Sequence, residues 1–243
     1  MSDLTIFGKT YTDVKGIKAT DTDGNAVVYG GGYSFKDIAE RSEPSGHLIV
    51  PSDVTNLSAY VCNDCKGITE VTIEGNPLLG NACFQGCSNL GVLHAPNLTR
   101  IFRSNTISSY YAFNGTALKI ACFPSYGNYV CDSYTFQNCS KLEIVDFADC
   151  HSFGATFNNT PLLRTMILRR TGTITVLRQS GANGTGGIYQ NPLDSSIYVP
   201  QALISAYQTA SNWSALYALN NDIFKPIEGS IYETQYADGT PIE

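Results

Sequence analysis

The chain has 243 residues, of which 43% are hydrophobic and only 15% charged, with a net charge of −6. That is ample for a large core in one elongated domain. No run of about 18 apolar residues occurs, which excludes a transmembrane helix, and no basic patch stands out beyond Arg169-Arg170, which argues against nucleic acid as a partner.

The N-terminus, Met1-Ser2-Asp3-Leu4-Thr5-Ile6-Phe7-Gly8-Lys9, has neither the basic start nor the apolar run of an export signal, so synthesis in the cytoplasm is expected. The eight cysteines are then expected as free thiols. Residues 1–32 read as a small β-hairpin module. Thr5-Ile6-Phe7 and Lys15-Gly16-Ile17-Lys18 are short strands, and Asp23-Gly24 is a hairpin turn before Ala26-Val27-Val28-Tyr29. The neighbouring Asp21-Thr22-Asp23-Gly24-Asn25 resembles the start of a calcium loop, but position twelve is Gly32 where a carboxylate is needed, so the turn is preferred. Gly30-Gly31-Gly32 is a joint. Ser34 is placed to cap a short helix over Phe35–Glu40.

From about Gly46 a phrase recurs roughly every 22 residues. Its best copies are Phe84-Gln85-Gly86-Cys87-Ser88-Asn89-Leu90 and Phe136-Gln137-Asn138-Cys139-Ser140-Lys141-Leu142. Weaker ones begin at Cys62, Phe113 and Phe157. Each is paired with a strand: Leu48–Val50, Val71–Ile73, Val92–His94, Ile120–Cys122 and Ile144–Phe147. A fixed period of this size means stacked units, since one unit cannot bury a core alone. The third unit is long, about 29 residues, around Arg103–Tyr111. Met166–Leu168 and Thr173–Leu177 are further strands, and Gly181–Gly187 reads as a flexible loop. Ile197-Tyr198-Val199 ends a strand, and Pro200 opens a helix whose stripe is Leu203, Ala206, Tyr207 and Ala210. Residues 229–243 form a tail with no assigned structure.

These phrases resemble the Ala-Phe-x-x-Cys-x-x-Leu signature of BspA-like (Treponema-type) leucine-rich repeats. Ala82-Cys83-Phe84-Gln85-Gly86-Cys87-Ser88-Asn89-Leu90 carries it, and Ile197-Tyr198-Val199-Pro200 with Leu203, Tyr207, Ala210 and Asn212-Trp213-Ser214 is similar to the family's end segment. The resemblance spans about residues 46–228. It implies a mainly β leucine-rich-repeat solenoid over 33–228, with the N-terminal β-hairpin module before it and a C-terminal helical cap. Phe7–Thr12, Val14–Lys18 and Asp21–Asn25 resemble the start of repeat proteins encoded by phages and prophages of gut Firmicutes. Together they imply a phage structural protein of tail or fibre type that binds a host cell-surface glycan or protein. Residues 1–32 would join other virion proteins. A bacterial surface adhesin of the same family and a capsid decoration protein stand as alternatives, and oligomerisation is left open.

The chemistry-bearing residues point away from catalysis. Cys62-x2-Cys65 followed by Cys83-x3-Cys87 has the look of a zinc site. Yet Cys65, Cys87 and Cys139 share one repeat position with Thr116 and Thr160, which fits a small packed residue without metal. His47, His94 and His151 accompany no hydrolase or metalloprotease motif, and Cys150-His151 are adjacent and so point to opposite faces of a strand. No enzyme activity, metal or cofactor is expected. Sequons such as Asn114-Gly115-Thr116 fall inside the buried phrase. The candidate binding residues are Tyr110, Tyr111, Tyr126, Tyr129 and Tyr134, clustered in the irregular middle units, because tyrosine offers a rigid amphipathic surface at small entropic cost.

Overall fold

The computed structural model describes residues 4–6, 9–11, 16–20, 26–30, 46–57, 59–101, 111–131, 134–179 and 181–242. The expected helix over 35–40, the turn at 21–25 and Tyr110 lie outside the described residues. In chain order, the first strands are β1 (Leu4–Ile6), β2 (Lys9–Tyr11), β3 (Gly16–Thr20) and β4 (Ala26–Gly30). The repeats supply β5 (Gly46–Val50), β6 (Asn56–Leu57), β7 (Ile68–Ile73), β8 (Leu78–Leu79) and β9 (Val92–His94). They continue with β10 (Ile120–Phe123), β11 (Tyr129–Cys131), β12 (Ile144–Phe147), β13 (Cys150–Phe153), β14 (Thr165–Leu168) and β15 (Val176–Leu177). The last are β16 (Ser196–Val199) and β17 (Phe224–Pro226).

Antiparallel pairing of these strands is confined to the beginning: β1 with β2, β3 with β4, and β3 with β5. From β5 onward every pairing between them is parallel. One sheet runs β4-β3-β5-β7-β9 and a second β10-β12-β14-β16-β17. The hairpin β3–β4 is therefore hydrogen-bonded onto the first repeat strand, and the boundary expected after residue 32 falls between two neighbours of one sheet. A narrower ladder, β11-β13-β15, runs beside the second sheet in the same sequence of units.

Register explains the repeat. Phe123, Phe147 and Leu168 are aligned across β10, β12 and β14, and all are buried. Those side chains, with Ala121, Val145 and Met166 on the same strands, belong to the core. Beyond the sheet, each unit turns through a residue in the left-handed region just ahead of the Cys/Thr position: Asp64, Gly86, Gly115, Asn138 and Asn159, with φ between 57° and 74°. Asn, Asp and Gly are the residues that take this conformation at least cost. Turns of successive units are joined by main-chain hydrogen bonds, such as Phe84 N to Ala112 O at 2.9 Å and Phe113 N to Thr135 O at 3.0 Å.

The core between sheet and turns is a ladder of rings. Phe84, Phe113, Phe136 and Phe157 stack face to face with centroids 5.6, 5.5 and 5.8 Å apart. Beside them runs the thiol and hydroxyl column. Cys87 Sγ donates to Cys62 O at 3.0 Å and Cys139 Sγ to Phe113 O at 3.1 Å, while Thr116 and Thr160 donate to Phe113 O and Phe157 O. Cys139 Sγ lies 3.4 Å from Thr116 Oγ1. Thiol and hydroxyl alternate here because both are small and both can donate to a turn carbonyl. All eight cysteines are buried, and none is in a disulfide.

Three local expectations are corrected. Residues 181–187 are not a flexible loop: they lie in two short helices, α1 (Gly181–Thr185) and α2 (Gly187–Gln190), and the Gly186 between them. Gly184, Gly186 and Gly187 serve close approach. A Cβ on Gly186, which has φ 57°, would stand 1.8 Å from Thr160 Oγ1 and 2.9 Å from Phe157 O. The strand expected over 173–177 is only Val176–Leu177. The helical stripe holds at Leu203, Tyr207 and Ala210 and differs at one position. A 3-10 turn, Gln201–Leu203, precedes α3 (Ile204–Thr209), and its tighter winding places Ile204 rather than Ala206 against the core. A further helix, α4 (Trp213–Leu219), follows. Together α3 and α4 meet the end of the narrow ladder: Tyr207 Oη accepts from Thr175 N at 2.9 Å, and Trp213 Nε1 donates to Thr175 O at 2.7 Å.

Candidate binding surface

The tyrosines separate by environment. Tyr111 and Tyr134 occupy the same repeat position, two residues ahead of Phe113 and Phe136. Both have left-handed backbone, with φ 68° and 63°. A residue with a bulky side chain adopts this conformation only where its surroundings enforce it, at about 1–3 kcal/mol. The turn hydrogen bonds enforce it here: Asn114 N donates to Tyr111 O and Gln137 N to Tyr134 O, both at 3.0 Å. The two rings stack 5.4 Å apart and 10° from parallel, making a flat aromatic ledge along the turns. Tyr60 holds the same position in an earlier unit, with φ 61° and half of its surface exposed. Sequence reasoning passed over it, although its place two residues ahead of Cys62 marks it as the equivalent of Tyr111. Ala82 interrupts the series.

Tyr129 stands apart, on β11. It is 41% exposed, and the Arg100 guanidinium lies 5.5 Å from its ring centroid. Its neighbour Asn128 accepts from Arg170 and lies 3.2 Å from His151 Nδ1, and Arg170 pairs with Asp149 at 2.9 Å. Tyr126 is corrected outright as a binding residue. It is 1% exposed, packs edge-on against Phe147 at 5.1 Å and donates its hydroxyl to Val130 O. Its ring is part of the core that lets β10 turn into β11.

A polar centre that the sequence reading left without a role lies on the second sheet. Cys122, Asp146 and Ile167 are in register on β10, β12 and β14, on the face opposite Phe123, Phe147 and Leu168. Asp146 is 1% exposed and holds Arg169 through two hydrogen bonds, at 2.7 and 2.8 Å. Burial pushes its carboxyl above the ordinary value, while Arg169 and the Ala237 N–H pull it back. The signal in the sequence was an Asp in the middle of Ile144-Val145-Asp146-Phe147, a run otherwise fit for burial on both faces.

The thiols are poor nucleophiles. Burial raises Cys83 to about 12 and Cys139 to about 11, and raises Cys62, Cys87 and Cys150 as well. Among the described residues no group of three or more His, Cys, Asp or Glu side chains is arranged to hold a metal ion, and no helix is long and apolar enough to cross a membrane.

A model of the BspA type leucine rich repeat region matches in six copies, over residues 31–143 and 55–179, which together exceed half of the chain. The chain belongs to the BspA-type leucine-rich repeat family. Comparison with curated proteins and with solved structures found no match. As a BspA-type repeat protein it carries the kind of domain associated with protein interaction or adhesion.

Proposed function

We propose that this BspA-type repeat protein is a non-enzymatic component of a phage tail or fibre that grips a host surface. In this reading the parallel ladders form a leucine-rich-repeat solenoid, α3 and α4 are its C-terminal helical cap, and residues 1–32 attach it to other virion proteins. The ligand is a glycan or protein of the host cell surface. The observation that carries the reading is the Tyr111–Tyr134 ledge. Two rings held parallel in a left-handed backbone are preorganised for a flat partner, such as a sugar ring, and lose little entropy on contact. The buried, protonated thiols give no support to a nucleophilic mechanism.

The test is binding of the purified chain to candidate host cells and to their wall glycans. Replacing both Tyr111→Ala and Tyr134→Ala should weaken binding by roughly 30-fold, the loss of about 2 kcal/mol at an aromatic anchor. Binding that survives the double replacement would remove the ledge from the interface. Binding by neither form, with folding verified, would count against host attachment. Gold labelling of particles would separate a tail position from a head position.

A further inference from the structure

The face of the second sheet that carries Cys122, Asp146 and Ile167 is covered by the chain's own C-terminal segment. Arg169 donates to Tyr232 O at 2.6 Å and to Gln235 O at 3.0 Å, and Asp146 accepts from Ala237 N at 2.9 Å. Each of these bonds reaches a main-chain atom of the segment. Two rings add to them: Tyr232 packs edge-on against Tyr198 at 4.7 Å, and Tyr236 lies 4.8 Å from the Arg169 guanidinium. The segment has a shape of its own. It folds back at Asp238-Gly239, with Gly239 N donating to Tyr236 O, Tyr236 N to Thr240 O and Ile242 N to Thr234 O.

The two sides of this contact differ in burial. The receiving side is buried, with Asp146 at 1% and Ile167 inaccessible although both point away from the core ladder. On the covering side, no residue from Lys225 to Ile242 is buried. The segment therefore contributes no core, and its departure would leave the ring ladder intact. The chain enters the segment through a turn at Gly229. Its φ is 80° and a Cβ there would meet nothing within 4 Å.

We propose that this sheet face is a peptide-docking site, filled in cis by the hairpin 230–242 and able to take the same hairpin from a second copy of the chain. The fixed Arg169–Asp146 pair reads two carbonyls and one N–H of the hairpin backbone, and Tyr198 with Arg169 receives its two tyrosine rings. A second copy carries an identical hairpin, so exchange conserves every one of these contacts. Copies held close together favour the exchange, because the cis hairpin otherwise competes at high effective concentration.

The test uses the full chain and a labelled synthetic peptide of residues 229–242 as probe. Tyr232→Ala with Tyr236→Ala loosens the cis hairpin and leaves the receiving face unchanged. The probe should bind this variant at least tenfold more tightly than it binds the unaltered chain, and Asp146→Asn added to the variant should reverse the gain. Cys122, which lies beneath Ala237 and Asp238, supplies a second readout. Its alkylation, followed by peptide mass spectrometry, should accelerate at least tenfold in the loosened chain and slow again when the probe is added. Equal binding of probe to both chains would overturn the proposal, as would an accelerated Cys122 that the probe fails to protect. Ala237→Pro removes the N–H given to Asp146 and fixes the backbone at that point, and it serves if the double variant does not fold. A Cys122 as protected in that chain as in the unaltered one would overturn the proposal too.

Discussion

At the scale of single residues, one rule explains three of the cysteines: the position after each left-handed turn residue must be small and must donate to a carbonyl. Cys65, Cys87 and Cys139 alternate with Thr116 and Thr160 because thiol and hydroxyl both meet it. Cys139→Thr should therefore cost less than about 1 kcal/mol, as a close match in size and hydrogen bonding. Cys139→Leu should cost about 1–3 kcal/mol, because the column has no room for a larger side chain. Denaturant titration of the two variants checks the ordering; a Thr variant as unstable as the Leu variant would refute the rule. The tyrosines obey position in the same way. Tyr111 and Tyr134 are displayed because they sit two residues ahead of the buried ring, whereas Tyr126 is enclosed because it falls where β10 turns inward.

At the scale of elements, the glycine-rich stretch 181–187 is a place of close packing. Gly184, Gly186 and Gly187 lie where the main chain passes against Gln179, Phe157 and Pro161, so they permit contact rather than motion. Gly186→Ala combines a strained φ with a steric clash and should destabilise the protein by roughly 2–4 kcal/mol, visible as a fall in thermal midpoint. An unchanged midpoint would show that the turn can give way. The strands of the two main sheets from Leu48 to Leu168 were legible because β-branched and aliphatic runs recur at the repeat period, whereas the narrower ladders of β6, β8, β11 and β13 were not. The segments that were misread lack that periodic check. Residues 181–187 occur once, and composition alone does not tell a hinge from a tight contact. The helix after Pro200 and most of its buried stripe were legible; only Ala206 was misplaced, Ile204 packing on the core in its stead after the opening 3-10 turn. In the tail, Asp238-Gly239 was a hairpin signal of the same kind as Asp23-Gly24, without the flanking apolar alternation that draws attention to one. Asp146 was left without a role because its partners, Arg169 and Ala237, are distant in sequence.

For the whole molecule, enclosing so many thiols links stability to alkaline pH. The unfolded thiols titrate near 9.0, whereas in the folded chain Cys139 is raised to about 11 and Cys83 to about 12. With folded values above unfolded ones, their contribution is complete below pH 9 and is lost as pH rises through the folded values. Stability should be flat in this respect from neutral pH to about 9, then decline towards pH 11–12 as the unfolded chain gives up protons that the folded chain retains. Chemical denaturation across that range measures the slope, and a flat profile up to the Cys139 value of about 11 would contradict it.

The parallel ladders also have one interruption with a mechanical meaning. Among the described residues, β9 and β10 belong to different sheets, while the turns that lead into them stay joined through Phe84 N to Ala112 O and through the stacked rings of Phe84 and Phe113. Past the strands the two layers are tied again, by Gly127 N donating to Thr99 O at 2.8 Å. This level lacks the strand pairing that joins β7 to β9 and β10 to β12, so a pulling force should open the stack there before it parts the paired strands on either side.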